Sequence, residues 1–267
     1  SDVYKRQGDD MKLMKGRIRF DASAGRVRYP LLGTTLDLGR TKGEVLISPQ
    51  WVVVDKMMGT IWDGTFTGRI LAQIDDGDAL NGSFVLQDMN LTSIGKSYDK
   101  KMEKATVHGA IEFSSKGGNM NSIQAKGEAA LVHGDLVEIP LFGFLGEALS
   151  NYIPGLGHLI NYKISRADCD FSIEKGYVRT SNFAAQGSNM SLEGGGWIRL
   201  SDLQVNSDFK LGLRGLPGFI TSPVFLLAGG LFQVRGTGAL SNVSWNFAPS
   251  SGGKAPVPPA AAPARKR

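Results

Sequence analysis

At 267 residues the chain is long enough for one large all-β domain or two smaller ones. Its formal charge of +5 first suggests a polyanionic partner, but Asp2, Lys5 and Arg6 leave one positive charge in residues 1–7. Lys254, Arg265, Lys266 and Arg267 supply the other four, so residues 8–253 are neutral. This excludes the electrostatic footprint of a nucleic-acid binder, and Cys169, the one cysteine, excludes an intrachain disulfide or a cysteine-rich zinc site.

The first residues, SDVYKRQ, back-translate as far as DVYKRQ to GAT GTG TAT AAG AGA CAG, which resembles the end sequence of a transposase used in shotgun sequencing. Residues 1–7 are therefore read as a translated sequencing adaptor and set apart from the fold, with an upstream segment expected to be missing. No run of about twenty apolar residues occurs, and no signal peptide is visible in the chain as given.

Thirty-five glycines, about twice the usual share of roughly 7%, fall between short alternating runs. Many short strands joined by tight turns are written this way. Strands are expected around residues 16–20, 43–47 and 51–55. Next, Trp62, Phe66, Ile70 and Ile74 alternate with Asp63, Thr65, Thr67, Arg69 and Gln73, and a period of two puts one set on a single face. After the turn signal Asp75-Asp76-Gly77 comes a strand over 83–91, then a short charged helix over 97–104. Val107, Ile111 and Phe113 alternate with His108 and Glu112, and Ile123, Ala125, Ala129 and Leu131 with Gln124, Lys126 and Glu128.

A second helix is expected over 140–152. Pro140 suits its first position, Leu141, Leu145, Ala148, Leu149 and Tyr152 form its stripe, and Pro154, Gly155 and Gly157 end it. Strands over 168–173 and 177–184 follow. Met190, Leu192, Ile198 and Leu200 then occupy even positions, while Leu203, Val205, Phe209, Leu211 and Leu213 occupy odd ones. The parity flips across Ser201 and Asp202, so a turn there brings both rows onto one face.

Between Leu216 and Phe232 only Thr221 and Ser222 are polar. This run reads either as an apolar plug at one end of the sheet or as a membrane lip formed by Phe219, Ile220, Val224, Phe225, Leu226 and Leu227. A last strand is expected over 232–236. Residues 249–267 are rich in proline and alanine, basic at their end, and read as a disordered tail.

The search for chemistry finds none. His108, His133 and His158 are widely spaced and fit no metal motif. Asp75, Asp76 and Asp78 suggest a calcium loop, but position 86, where the chelating glutamate belongs, is Leu. Gly194-Gly195-Gly196 and Gly236-Thr237-Gly238 lack the following helix of a phosphate loop, and no G-x-S-x-G occurs. Cys169 reads as a small apolar filler rather than a reactive thiol. The expectation is a non-enzymatic protein without cofactor or metal. Its one-sided sheet must close on itself, pack against another layer or hold an apolar ligand.

Three stretches carry a family resemblance: GEAALVHGDLVEIPLFGFLGEAL (127–149), DFSIEKGYVRTSNFAAQGSNMSLEGGGWIRLSDLQVNSDFKLGL (170–213) and FQVRGTGALSNVSWNF (232–247). Their glycine and aliphatic patterns resemble the C-terminal region of AsmA-like proteins, relatives of TamB and YhdP, and WDGTFTGRI resembles an upstream strand of that family. The likeness covers roughly residues 16–248, within an expected family region of 8–248. It implies a mainly β fold, an elongated, twisted antiparallel sheet curled into an open hydrophobic trough, with one or two short helices. It further implies a periplasmic protein of a diderm bacterium, anchored in the inner membrane by a missing N-terminal helix and passing phospholipids towards the outer membrane.

On that reading the lipid-facing residues are Trp62, Phe66, Ile70, Val107, Ile111, Phe113, Ile198, Leu200, Leu203, Val205, Phe209, Leu211 and Leu213. The expected partners are phospholipid acyl chains and the two membranes, with no nucleic acid. The alternative is a scaffold for outer-membrane protein assembly, whose sheet edge pairs with a client strand.

Overall fold

The computed structural model describes residues 15–29, 34–74, 79–97, 104–117, 122–132, 137–138, 163–188, 190–213, 231–240 and 242–249. The expected helix over 140–152, the lip over 219–227, most of the tail, His133 and His158 lie outside them. The chain divides into two compact units, Ser1–Ala129 and Ala130–Arg267. Thirteen strands follow one another in an open antiparallel order that does not close into a barrel, so the fold is mainly β, as the alternating runs predict.

The first unit contains β1 (Gly16–Ala22), β2 (Gly25–Tyr29), β3 (Thr34–Ile47), β4 (Trp51–Ile61), β5 (Gly64–Gln73), β6 (Ala79–Asn90), α1 (Leu91–Ser97) and β7 (Thr106–Ser115). The unit boundary falls within β8 (Gln124–Val132). Its order is β1-β3-β4-β5-β6-β7-β8, with β2 pairing β3. Register shifts interrupt β3–β4, β4–β5 and β6–β7. Lys56 and Asp88, both with positive φ, sit at two of them, and such bulges bend a strand and re-aim its side chains.

The second unit holds β9 (Val137–Glu138), β10 (Lys163–Glu174), β11 (Tyr177–Gly187), β12 (Met190–Arg199), β13 (Gln204–Leu213), β14 (Leu231–Ala239) and β15 (Asn242–Pro249). Its order is β10 through β15, with β9 off β10. Ile198 stands opposite Val205 and Leu192 opposite Leu211, so the turn across Ser201 and Asp202 does bring the even and odd rows together.

The expected helix over 97–104 lies, apart from Ser97 and Lys104, outside the described residues. A helix spans Leu91–Ser97, directly after β6, and it is the one helix among the described residues. Asn90 starts it: its side-chain oxygen accepts the Thr92 N–H at 2.9 Å, an N-cap bond. Leu91, read from its apolar character as the end of a strand, is the first helical residue.

Candidate functional site

Register defines the two faces of the first unit. One row crosses six strands as Ile18–Val45–Val54–Ile70–Gly82–Phe113. Beside it run Ile47–Val52–Ala72–Leu80–Ser115, Met57–Gly68–Phe84–Ile111 and Thr41–Gly59–Phe66–Leu86–Gly109. These paired positions bear no charged side chain; Thr41 and Ser115 are the polar ones. The opposite face is wet. There Arg19 bonds Glu44 at 3.0 Å, Lys56 lies 3.7 Å from Glu44 and Arg69 3.5 Å from Asp55. The Arg19 hydrogen bond, with smaller help from nearby lysine and arginine charges, holds the Glu44 carboxyl below its ordinary value. A small apolar spot, Leu46–Val53–Leu71, interrupts this face, and Val53 is buried in it.

The rings on the apolar face lie over glycines of the neighbouring strand. Phe113 is paired with Gly82, Phe84 with Gly68, Phe66 with Gly59 and Phe20 with Gly43. A Cβ on Gly82 would meet the Phe113 ring at 2.5 Å, and one on Gly68 the Phe84 ring at 2.5 Å. Phe84 and Phe113 are parallel, 2° apart, with centroids at 6.1 Å. Glycine therefore makes room for a flat ring, and the surface is tiled rather than bristling. Composition alone assigns these glycines to turns. The signal for the pairing is the same-face spacing Phe66-x-Gly68 on one strand and Gly82-x-Phe84 on the next.

Burial along this face is graded. Ile61, Phe66 and Met89 form a buried cluster, packed against by Leu38, Met57, Trp62, Phe84, Leu86, Val107 and Ile94 of α1. Away from the helix the rows open: Val54, Ile70, Ile111 and Phe113 are partly exposed, and Ile18 and Ile74 are each 54% exposed.

In the second unit, register gathers Ala167–Ala185–Leu192–Leu211, Phe183–Gly194–Phe209–Val234 and Ile173–Val178–Ile198–Val205–Gly238–Val243 on one uncharged face. The glycine–ring device recurs: Phe209 faces Gly194, and Trp245 faces Gly236. This face is largely shut. Ile164, Leu192, Leu211 and Val234 are 0% exposed, and Val205, Phe209, Leu213 and Trp245 are buried. Phe209 contacts Phe183 edge-on at 5.5 Å and lies 6.3 Å from Trp245.

The expected lipid-facing residues thus separate into four environments. Ile70, Ile111, Phe113 and Ile198 are partly exposed on apolar faces. Trp62, Phe66 and Val107 belong to the cluster under α1. Val205, Phe209, Leu211 and Leu213 are buried and have little surface left for a ligand. Leu200 and Leu203 lie in the turn between β12 and β13; Leu203, with φ 55° and 49% exposed, is not on the strand at all. The turn takes Leu203 because Arg199 grips Asp202 through two hydrogen bonds of 2.7 and 2.6 Å and Asp202 also accepts the Gln204 N–H. Residues that sequence reading passed over are Val54, Leu80, Phe84 and Leu86, which share the apolar face of the first unit with Ile70.

Among the described residues no cluster of His, Cys, Asp and Glu could hold a metal ion. His108 accepts the Asp88 N–H at Nδ1, a bulge contact on the exposed surface. Cys169 is half-buried, and burial, then the flanking Asp170 and Asp168, raises its thiol pKa, the reverse of what a nucleophile needs. No helix among the described residues is long and apolar enough to cross a membrane. No protein-family model, curated protein or solved structure matches the chain.

Proposed function

We propose that the first unit binds the acyl chains of lipids on its uncharged, partly exposed face, as a segment of a non-enzymatic lipid-transfer protein. The observation that carries the reading is the six-strand row from Ile18 to Phe113, which offers apolar surface without a single charge. Each CH₂ taken out of water there is worth about 0.8 kcal/mol. A surface tiled by flat rings offers no deep pocket to trap one chain position, which suits passage better than storage.

The likeness to AsmA-like proteins supplies the setting of this proposal: a phospholipid ligand, a periplasmic location and transfer between inner and outer membranes. The second unit enters it as a closed β body, because side chains already out of water gain nothing from a ligand. The test is organic extraction of the purified chain followed by mass spectrometry. The proposal expects phospholipid in the wild type and its loss in Ile70→Asp and Ile111→Asp variants that remain folded; lipid-free wild-type protein from a lipid-rich host contradicts it.

A further inference from the structure

The open strand order has two edges, β1 and β15. β1 pairs β3 and, among the described residues, no other strand. The outer row of N–H and C=O groups on such an edge is a template that an extended strand satisfies along its length. From Gly16 to Ala22 every residue but the half-buried Phe20 is exposed, and Ile18 shows 54% of its surface.

Charge usually blunts an edge of this kind. On β1, however, the charges are of both signs and are placed symmetrically. The period of two puts Arg17, Arg19 and Asp21 on the wet face and Ile18 and Phe20 on the apolar one. Arg17 and Asp21 stand two residues either side of Arg19, so the strand is its own complement. Laid antiparallel on a second β1, with Arg19 opposite Arg19 of the second copy, all of Gly16–Ala22 is paired. Arg17 of each copy then meets Asp21 of the other, and Ile18 meets Phe20 on the apolar side. Opposite charges across a strand pair are favourable. Each Arg19 already donates to its own Glu44 at 3.0 Å, which offsets the like charge facing it. Arg40 donates to both Asp21 oxygens at 2.9 and 2.7 Å, holding that carboxylate on the wet face while its side chain stays 49% exposed.

We infer that two copies of the chain associate through β1, antiparallel about a two-fold axis at Arg19. β15 does not fill this place: Asn242–Pro249 bears no charged side chain and leaves Arg17 and Asp21 unanswered. A peptide would have to carry the same charge order, whereas a second copy carries it by symmetry. The axis stands perpendicular to the sheet, so wet face continues wet face. The uncharged row from Ile18 to Phe113 runs on into Phe20 of the second copy. So short a strand pair is a small interface, and the dimer is weak and concentration-dependent.

Sedimentation velocity of the full chain up to millimolar concentration tests this, together with hydrogen exchange over the same range. The expected result is a monomer–dimer equilibrium in which exchange slows in the β1 peptide as the dimer fills and stays unchanged in β15. Arg17→Asp sets two pairs of carboxylates against each other across the axis, and Asp21→Arg two pairs of guanidinium groups. Each variant alone, its fold checked by circular dichroism, should dimerise at least about tenfold more weakly than the wild type. Mixed in equal amounts, the two should form a heterodimer to within about threefold of the wild-type affinity, because each supplies the charge that the other lacks. A wild-type chain that stays monomeric, a dimer that protects β15 instead of β1, or a mixture that associates no better than the single variants overturns the inference.

Discussion

Replacing Gly82 by alanine tests the ring-over-glycine packing of the first unit directly. The new methyl carbon would stand 2.5 and 2.6 Å from Cζ and Cε1 of Phe113 and 3.0 Å from the Arg69 carbonyl oxygen. The ring is the softer obstacle, so it must swing off the sheet and give up its parallel contact with Phe84. Overpacking of this kind costs about 1–3 kcal/mol, a sizeable part of the roughly 5–15 kcal/mol that holds a domain folded. With Phe113 replaced by alanine the obstacle is gone. The same glycine-to-alanine change should then be close to neutral, since alanine in a strand is favoured over glycine by about 0.5–1 kcal/mol and only the Arg69 carbonyl opposes it. The double-mutant cycle should therefore show a coupling of at least about 1 kcal/mol. Urea titration read by pulsed hydrogen–deuterium exchange on β5–β7 peptides separates the first unit from the second. Equal costs of Gly82→Ala in the two backgrounds, or a stabilised Gly82→Ala single variant, would refute the packing.

Four further outcomes are expected. Leu211→Asp puts a carboxylate where the side chain is fully buried, so it should cost more than the roughly 2–5 kcal/mol of a core truncation and unfold the second unit by circular dichroism. Ile111→Asp, at a partly exposed position, should cost only about 1 kcal/mol. Lys175, with φ 52° ahead of Gly176 in the β10–β11 turn, should accept asparagine with a gain of up to about 1 kcal/mol in urea unfolding, because Asn tolerates the left-handed region. The Asp202 carboxyl is held below the ordinary carboxylate value chiefly by its hydrogen bond from Arg199; its small, solvent-screened contribution is present above the unfolded value and lost as pH falls through the folded one. Carboxyl NMR titration should show that depressed value, and Arg199→Gln should move it back up; an unchanged midpoint would disprove the cause.

Much of the fold was legible because a period of two is written plainly into β5, β7, β12 and β13. The alternation of Val205, Phe209, Leu211 and Leu213 with polar residues places that strand within a residue of its observed bounds. Bulges were not legible. The shift after Leu86 lets Met89, of opposite parity, reach the same buried cluster as Phe66, and no local pattern announces it. The helix over Leu91–Ser97 was not legible because Leu91 satisfies strand and helix alike, and only the Asn90 side chain on the Thr92 N–H decides between them. Mid-strand glycines such as Gly68 and Gly82 explain themselves only once the facing ring is known. The same limit governs the candidate site: periodicity tells that Ile70 and Leu211 each sit on an apolar face, but what covers a face is a tertiary fact. The first remains partly open and the second does not.

The most direct measurement is paramagnetic broadening of methyl resonances in the full chain, after delipidation, on titration with a spin-labelled fatty acid. If the uncharged face of the first unit holds acyl chains, the Ile70 and Ile111 methyls broaden and those of Leu192, Leu211 and Val234 do not. Broadening centred on the second unit, or none at ligand concentrations that saturate other fatty-acid binders, would contradict it.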